Sequence, residues 1–188
     1  MKKFVLFILP VLLIISAFKI NSSKELSETY QDDSKIEWLT FEQAVEKNKA
    51  NPKMIFIDFY TDWCSWCKKM DDNVFANPQI AEIMKNDFYA VKFNAEGDDK
   101  VNFQGIDYKL DTTGRRPAHE LAQKFATVND RLGYPTFVVL DEKFVSLKAF
   151  QGYKTVDRLK QILDYYGDKD TYMNKNWIEF IQEQTGEN

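Results

Sequence analysis

Short apolar runs alternate with polar stretches along this chain in a rhythm that predicts strands and helices in turn. Met54 to Tyr60, MIFIDFY, offers apolar groups to both faces and reads as a buried strand. Phe88 to Asn94, FYAVKFN, reads as a second interior strand, and Ile36 to Leu39 as a short edge strand. Helical patterns lie between them. Thr40 and Gln43 form a capping box opening a helix with Phe41, Ala44 and Val45 inward, which stops near Asn51-Pro52. Asn77-Pro78 opens another, or continues the helix just before it after a kink, with Ile80, Ile83 and Met84 inward, ending near Asn86. Strand, helix, strand, helix, strand implies parallel pairing under covering helices.

The second half changes character. VNFQGIDYKL alternates on both sides of Gln104-Gly105 and predicts a small β-hairpin, followed by a loop from Thr112 to Arg116. The whole segment 95–116 reads as an insertion that either decorates the rim of the site or is a neutral surface feature. A helix is expected from Pro117 through Phe125. Phe137 to Leu140 and Val145 to Phe150, joined by Asp141-Glu142-Lys143, predict antiparallel strands at the sheet edge. Thr155 caps a helix with the stripe Val156, Leu159, Ile162 and Leu163. From Asp168 onward, Tyr172, Trp177, Ile178, Phe180 and Ile181 predict one short docked helix.

Residues 1–18 differ from everything after them. Lys2 and Lys3 precede the apolar run FVLFILPVLLII and the small residues Ser16 and Ala17, the pattern of a secretory signal. The run is short for a membrane span, which takes about 20 residues. Cleavage after Ala17 and retention as an N-terminal anchor are the two readings. Residues 19–35 read as a flexible linker, 36–167 as the folded domain and 168–188 as a C-terminal helical extension. The folded part is therefore expected outside the cytoplasm, periplasmic or otherwise extracytoplasmic. With 188 residues, 44% of them apolar, the chain supports one core. Its 25 Lys and Arg are interspersed with 29 Asp and Glu, and no basic tract points to nucleic acid.

The chemistry concentrates in WCSWC. Cys64 and Cys67 are the only cysteines, and Cys64 falls where the strand gives way to a helix, on its first turn. Unpaired N–H groups at a helix start stabilise a thiolate, the reactive form of cysteine. Cys67 lies one turn on and on the same face, so the two sulfurs can bridge. Structural zinc would need two further ligands, and the chain offers no third cysteine and a single histidine, His119. A purely structural disulfide would close too short a loop to remove much chain entropy. His119 itself reads as a helix-surface or half-buried residue rather than a proton carrier. Asp58 is a carboxylate inside an apolar strand, either buried with a raised pKa or turned to solvent at the strand end.

IDFYTDWCSWCKK resembles the active-site strand and helix of the thioredoxin superfamily, and Gly133-Tyr134-Pro135-Thr136 resembles its cis-proline loop. More narrowly, the chain is similar to exported bacterial thioredoxin-like proteins with a WCxWCKKM motif and to the periplasmic thioredoxin domain of membrane-borne disulfide-interchange proteins. The likeness covers about Ile36 to Tyr166. It implies an α/β, thioredoxin-like three-layer fold: a mixed central sheet with helices on both faces, here with a hairpin insertion and an extra C-terminal helix. It also implies that Cys64 attacks and Cys67 resolves; the sequence itself agrees, placing Cys64 nearer the helix end and the surface. Asp58 matches the family's buried aspartate, able to take the proton of Cys67, and Lys92 its partner lysine, where the other reading is an exposed strand lysine. Pro135 is expected to be cis, leaving the Tyr134 backbone open to an extended substrate. Trp63, Trp66 and Tyr134 would form an apolar rim, unless Trp66 belongs to the core.

The resemblance implies thiol–disulfide exchange with protein substrates, served by a membrane-borne or periplasmic redox partner. No cofactor beyond the Cys64–Cys67 disulfide and no metal is implied. Ser65-Trp66 stands where thioredoxin has Gly-Pro, so reduction, oxidation and isomerisation all stay open. A binding or chaperone module without turnover is the alternative of a different class. Thiol peroxidases place their cysteine in a different local motif.

Overall fold

The structure is a computed structural model that describes residues 35–186. The expected export segment and nearly all of the linker lie outside the described residues.

The sheet grows from β1 (Met54–Tyr60), whose burial on both faces fits its unbroken apolar pattern. It pairs in parallel with β2 (Phe88–Asn94), placing Asp58 opposite Lys92, and antiparallel with β7 (Thr136–Leu140). With β8 (Ser146–Gln151) the order is β2-β1-β7-β8, a mixed sheet as expected. Between β2 and β7 come β3 (Val101–Phe103), β4 (Ile106–Tyr108), β5 (Leu110–Asp111) and β6 (Ala118–His119). The edge strand expected at Ile36 to Leu39 does not form. Only Leu39 bridges to Val91, giving its N–H to the Ala90 carbonyl at 2.8 Å.

Helices cover both faces. One core joins Ile55, Ile57 and Phe59 of β1 to Phe41 and Ala44 of α1 (Phe41–Ala50) and to Leu121 and Phe125 of α4 (Glu120–Ala126). The other joins Met54 and Phe56 to Met70 of α2 (Ser65–Met70), to Val74 and Phe75 of a π-helical turn (Asp71–Phe75), to α3 (Pro78–Asp87) and to α5 (Val156–Gly167). Local signals set these ends. Thr40 and Gln43 complete the capping box, Asn77 accepts from Gln79 N–H, and Thr155 from Arg158 N–H. Past α5 the tail forms two helices rather than one, α6 (Lys169–Asn174) and α7 (Trp177–Thr185). Tyr165 anchors α7 by edge contacts with Trp177 and Phe180, at 5.2 Å each. Among the described residues no helix is long and apolar enough to cross a membrane.

The insertion departs most from expectation. The hairpin β3–β4 turns at Gln104 and Gly105, both at positive φ (54° and 77°), the backbone a two-residue hairpin turn requires. It is neither neutral nor merely decorative, because Val101, Phe103 and Tyr108 belong to the first core. Nor does a helix start at Pro117. Ala118 and His119 pair instead with Leu110 and Asp111, and α4 begins at Glu120.

Phe103 lies 5.1 Å from the rings of both Phe41 and Phe144. Phe103→Ala is therefore expected to cost about 3–5 kcal/mol in a urea titration, and Ile106→Ala, exposed on the same hairpin, less than about 0.5. Equal, small effects would mean that the insertion does not belong to the core.

Candidate active site

At the C-terminal end of β1 the chain passes Thr61-Asp62-Trp63 and enters α2. Cys64 is the N-cap of that helix rather than a residue of its first turn, with φ −74° and ψ 100°. Its Sγ accepts the N–H of Cys67 at 3.0 Å, the bond a capping oxygen usually makes. The two cysteines form a disulfide with Cα atoms 5.3 Å apart. Burial does not separate them in this oxidised state, Cys64 being 3% and Cys67 2% exposed. The expectation that Cys64 lies nearer the surface is thus not met; what distinguishes it is its place at the helix end.

Beneath this end, the odd residues of β1 face one core. The even ones, Met54, Phe56 and Asp58, face the layer containing α2 and the π-helical turn. Asp58 is fully buried. Its Oδ2 lies 2.9 Å from Lys92 Nζ, an ion pair whose alignment falls short of a hydrogen bond, and Oδ1 has no hydrogen-bond partner among the described residues. Burial pushes the carboxyl up to about 6, against the pull of Lys92. Lys92 also bonds Asp71, so one ammonium ties β1, β2 and the helix that carries the cysteines. Burial alone would lower the Lys92 pKa, but Asp58 and Asp71 together outweigh it and the net direction is up. The rings of Trp38, Tyr60 and Phe75 surround its Nζ at 4.9–5.3 Å. Asp71 lies one turn beyond Cys67 and donates its backbone N–H to the Cys67 carbonyl.

Around the disulfide, Trp63 and Trp66 are 58% and 52% exposed, so Trp66 is not a core residue. Trp63 meets Tyr134 edge-on at 6.2 Å, while its indole N–H donates to Glu96 at 2.8 Å and Arg116 stands over its face. Glu96 and Arg116 are the two ends of the insertion, which therefore reaches the rim at its base. Trp66 pairs with Tyr153 at 5.5 Å. The Tyr134–Pro135 bond is cis. Tyr134 is half-buried and Pro135 buried, with its carbonyl accepting from Gly152 N–H at 2.7 Å. Burial, aided by Glu96, pushes the Tyr134 phenol up to about 12.

His119 stands apart from this site and is fully buried, not at a helix surface. Its Nδ1 accepts from Leu121 N–H at 3.1 Å, capping α4, which assigns the proton to Nε2, 2.9 Å from the Asp99 carbonyl. Both ring nitrogens are committed to structure. Asp71, Glu96, Arg116 and Tyr153 are the neighbours that the sequence reading missed. Of these, only Asp71 carried a signal, its four-residue spacing from Cys67 on one helix face. Among the described residues no cluster of three His, Cys, Asp or Glu is placed to hold a metal ion.

A four-stranded mixed sheet between helices, with a disulfide at a strand-to-helix junction and a cis-proline loop whose Tyr134 meets the neighbouring Trp63, defines a thioredoxin-like protein. The chain belongs to the thioredoxin-like domain family, whose model matches residues 41–167. A stretch of 43 residues is 37% identical to the thiol:disulfide interchange protein DsbD of Pseudomonas fluorescens, covering 23% of this chain and 7% of that protein. Another of 62 residues is 29% identical to human spermatogenesis-associated protein 20, covering 32% and 8%. The chain thus spans less than a tenth of the length of these relatives. Among solved structures, a thioredoxin from Thermus thermophilus superposes with TM-score 0.51 at 19% identity, over 70% of this chain and 85% of that one. A thioredoxin-fold protein from Helicobacter pylori gives 0.50 at 20%, over 72% and 82%. At such identities these two likenesses speak to the fold.

The Asp58 carboxyl titrates near 3.8 when exposed and near 6 in the fold, so the folded state is penalised above pH 6 and relieved as pH falls toward 4. Asp58→Asn removes that penalty while Asp71 keeps Lys92 paired. The variant is expected to be more stable than the parent by about 1–3 kcal/mol at pH 8, with the gain vanishing by about pH 4. Urea titrations across this range check it; a variant less stable at pH 8 would contradict a raised carboxyl.

Proposed function

We propose that this protein is an exported thiol–disulfide oxidoreductase that exchanges disulfides with protein substrates through Cys64 and Cys67. The observation that carries the reading is the capped cysteine: Cys64 Sγ already accepts a helix-start N–H, the interaction that favours its thiolate once the bridge is reduced. In the reduced protein the Cys64 thiolate attacks one sulfur of a substrate disulfide. A mixed disulfide forms, and the other substrate sulfur leaves as a thiolate. Cys67 then gives up its proton, with Asp58 as acceptor, and attacks Cys64 Sγ. The internal disulfide closes, and the second substrate sulfur leaves as a thiolate.

An acceptor with a pKa of about 6 holds little proton at neutral pH and can still take one transiently. The shared layer of Asp58 and the cysteine helix, linked through Lys92 and Asp71, supports this assignment. Run in reverse, the same steps oxidise a substrate dithiol. Exposed Trp63 and Trp66 beside Tyr134 and Pro135 supply an apolar rim for an extended segment. Residues 1–18 support export, and the likeness to disulfide-interchange proteins supports a membrane-borne or periplasmic redox partner.

Insulin reduction by the protein with dithiothreitol tests the reading against a non-redox scaffold. Cys64→Ser is expected to abolish catalysis, whereas Cys67→Ser leaves the attack intact and accumulates mixed disulfides on non-reducing gels. Asp58→Asn is expected to slow resolution at pH 7 by about 100-fold, the lower end of the usual range for a lost proton acceptor. Wild-type insulin turnover no faster than that of Cys64→Ser defeats the proposal, and an unchanged resolution rate removes Asp58 from it.

A further inference from the structure

We infer that the Trp66 side of the disulfide is a docking subsite for an acidic stretch of the protein substrate, an inference that rests on the exchange reading above. Trp66 and Tyr153 form an exposed, tilted pair at the edge of the dithiol. Tyr153 follows Gly152, whose φ of 85° and bond to the Pro135 carbonyl fix the turn against the proline loop. Lys69 Nζ stands 4.3 Å from the Trp66 ring centre. Lys154 Nζ curls onto the carbonyls of Gln151 and Gly152 at 2.7 and 2.8 Å, and its backbone N–H meets Met70 Sδ at 3.4 Å. The second ammonium is thereby held on the backbone of the Tyr153 turn, and the main chain of Lys154 on the cysteine helix.

Charge makes this patch selective. Lys69 and Lys154 have no carboxylate within ion-pair distance among the described residues, although Asp72 lies only one turn beyond Lys69. The patch is cationic on a chain whose net charge is −4. The Trp63 side carries both signs, with Glu96 and Arg116 both on the Trp63 indole. A substrate segment running over Trp66 therefore gains by carrying Asp or Glu close to its cysteine. Apolar or aromatic contact on the Trp66–Tyr153 platform excludes water and strengthens that attraction.

The test uses three disulfide-bonded peptides identical except for Glu, Gln or Lys flanking the bridge. Their rates with the reduced protein are each divided by their rates with dithiothreitol, which removes intrinsic reactivity. At about 20 mM salt the Glu peptide is expected to exceed the Lys peptide by about tenfold, shrinking to about twofold at 0.5 M. Lys69→Glu, with the Gln peptide reporting basal exchange, is expected to cut the preference below about threefold. Brisk exchange with Glu and Lys peptides within twofold of each other, or a preference untouched in Lys69→Glu, overturns the docking inference alone. Failure of all three peptides to react overturns the exchange reading and the subsite with it.

Discussion

A carboxylate locked inside the central strand is the constraint from which the site is built. β1 is hydrogen-bonded on both edges and buried on both faces, so Asp58 cannot turn to solvent without breaking the sheet. Leaving an ionised carboxylate there alone would cost several kcal/mol. Lys92 offsets part of that cost because parallel pairing sets it directly opposite, and Asp71 draws the cysteine helix into the same network. The offset is incomplete, which is why the carboxyl stays protonated to about pH 6. A purely structural strand gains nothing from such a group; in the proposed exchange, a second sulfur that must be deprotonated would.

The cysteine helix shows how local sequence converts that strand into chemistry. It starts where β1 ends and uses a sulfur where most helices use a side-chain oxygen to cap the first turn. Directly after it the chain widens into a π-helical turn at Asp71–Phe75. Such turns are uncommon and occur often at functional sites. Here the turn carries Asp71 toward Lys92 while Val74 and Phe75 enter the core.

Much of this could be read from the sequence wherever a local signal and a tertiary role agree. The two-faced apolar pattern of β1, the Thr40–Gln43 box, the Asn77-Pro78 start and the Gln104-Gly105 turn all act over a few residues. Each appears where expected. What escaped depends on distant partners. Pro117 looks like a helix start, yet Ala118 and His119 pair with a strand eight residues earlier and delay α4. His119 belongs to a residue type rarely thought of as a cap, so nothing nearby announced its burial. Phe103 sits in a segment that looks like a surface hairpin, and only the rings of Phe41 and Phe144 make it core. At the site, the positions of the cysteines, Asp58 and the proline loop were readable. Contacts such as Glu96 with the Trp63 indole, 33 residues apart, were not.

The ionisation of Asp58 links the strand to the cysteines, and a carbon-13 NMR titration of its carboxyl in the oxidised protein measures that directly. A midpoint near 6, rising further when Lys92 is replaced by Met, is the expected result. A midpoint near 4, unmoved by the loss of Lys92, would mean that the carboxyl is hydrated and unpaired and has no part in serving the cysteines.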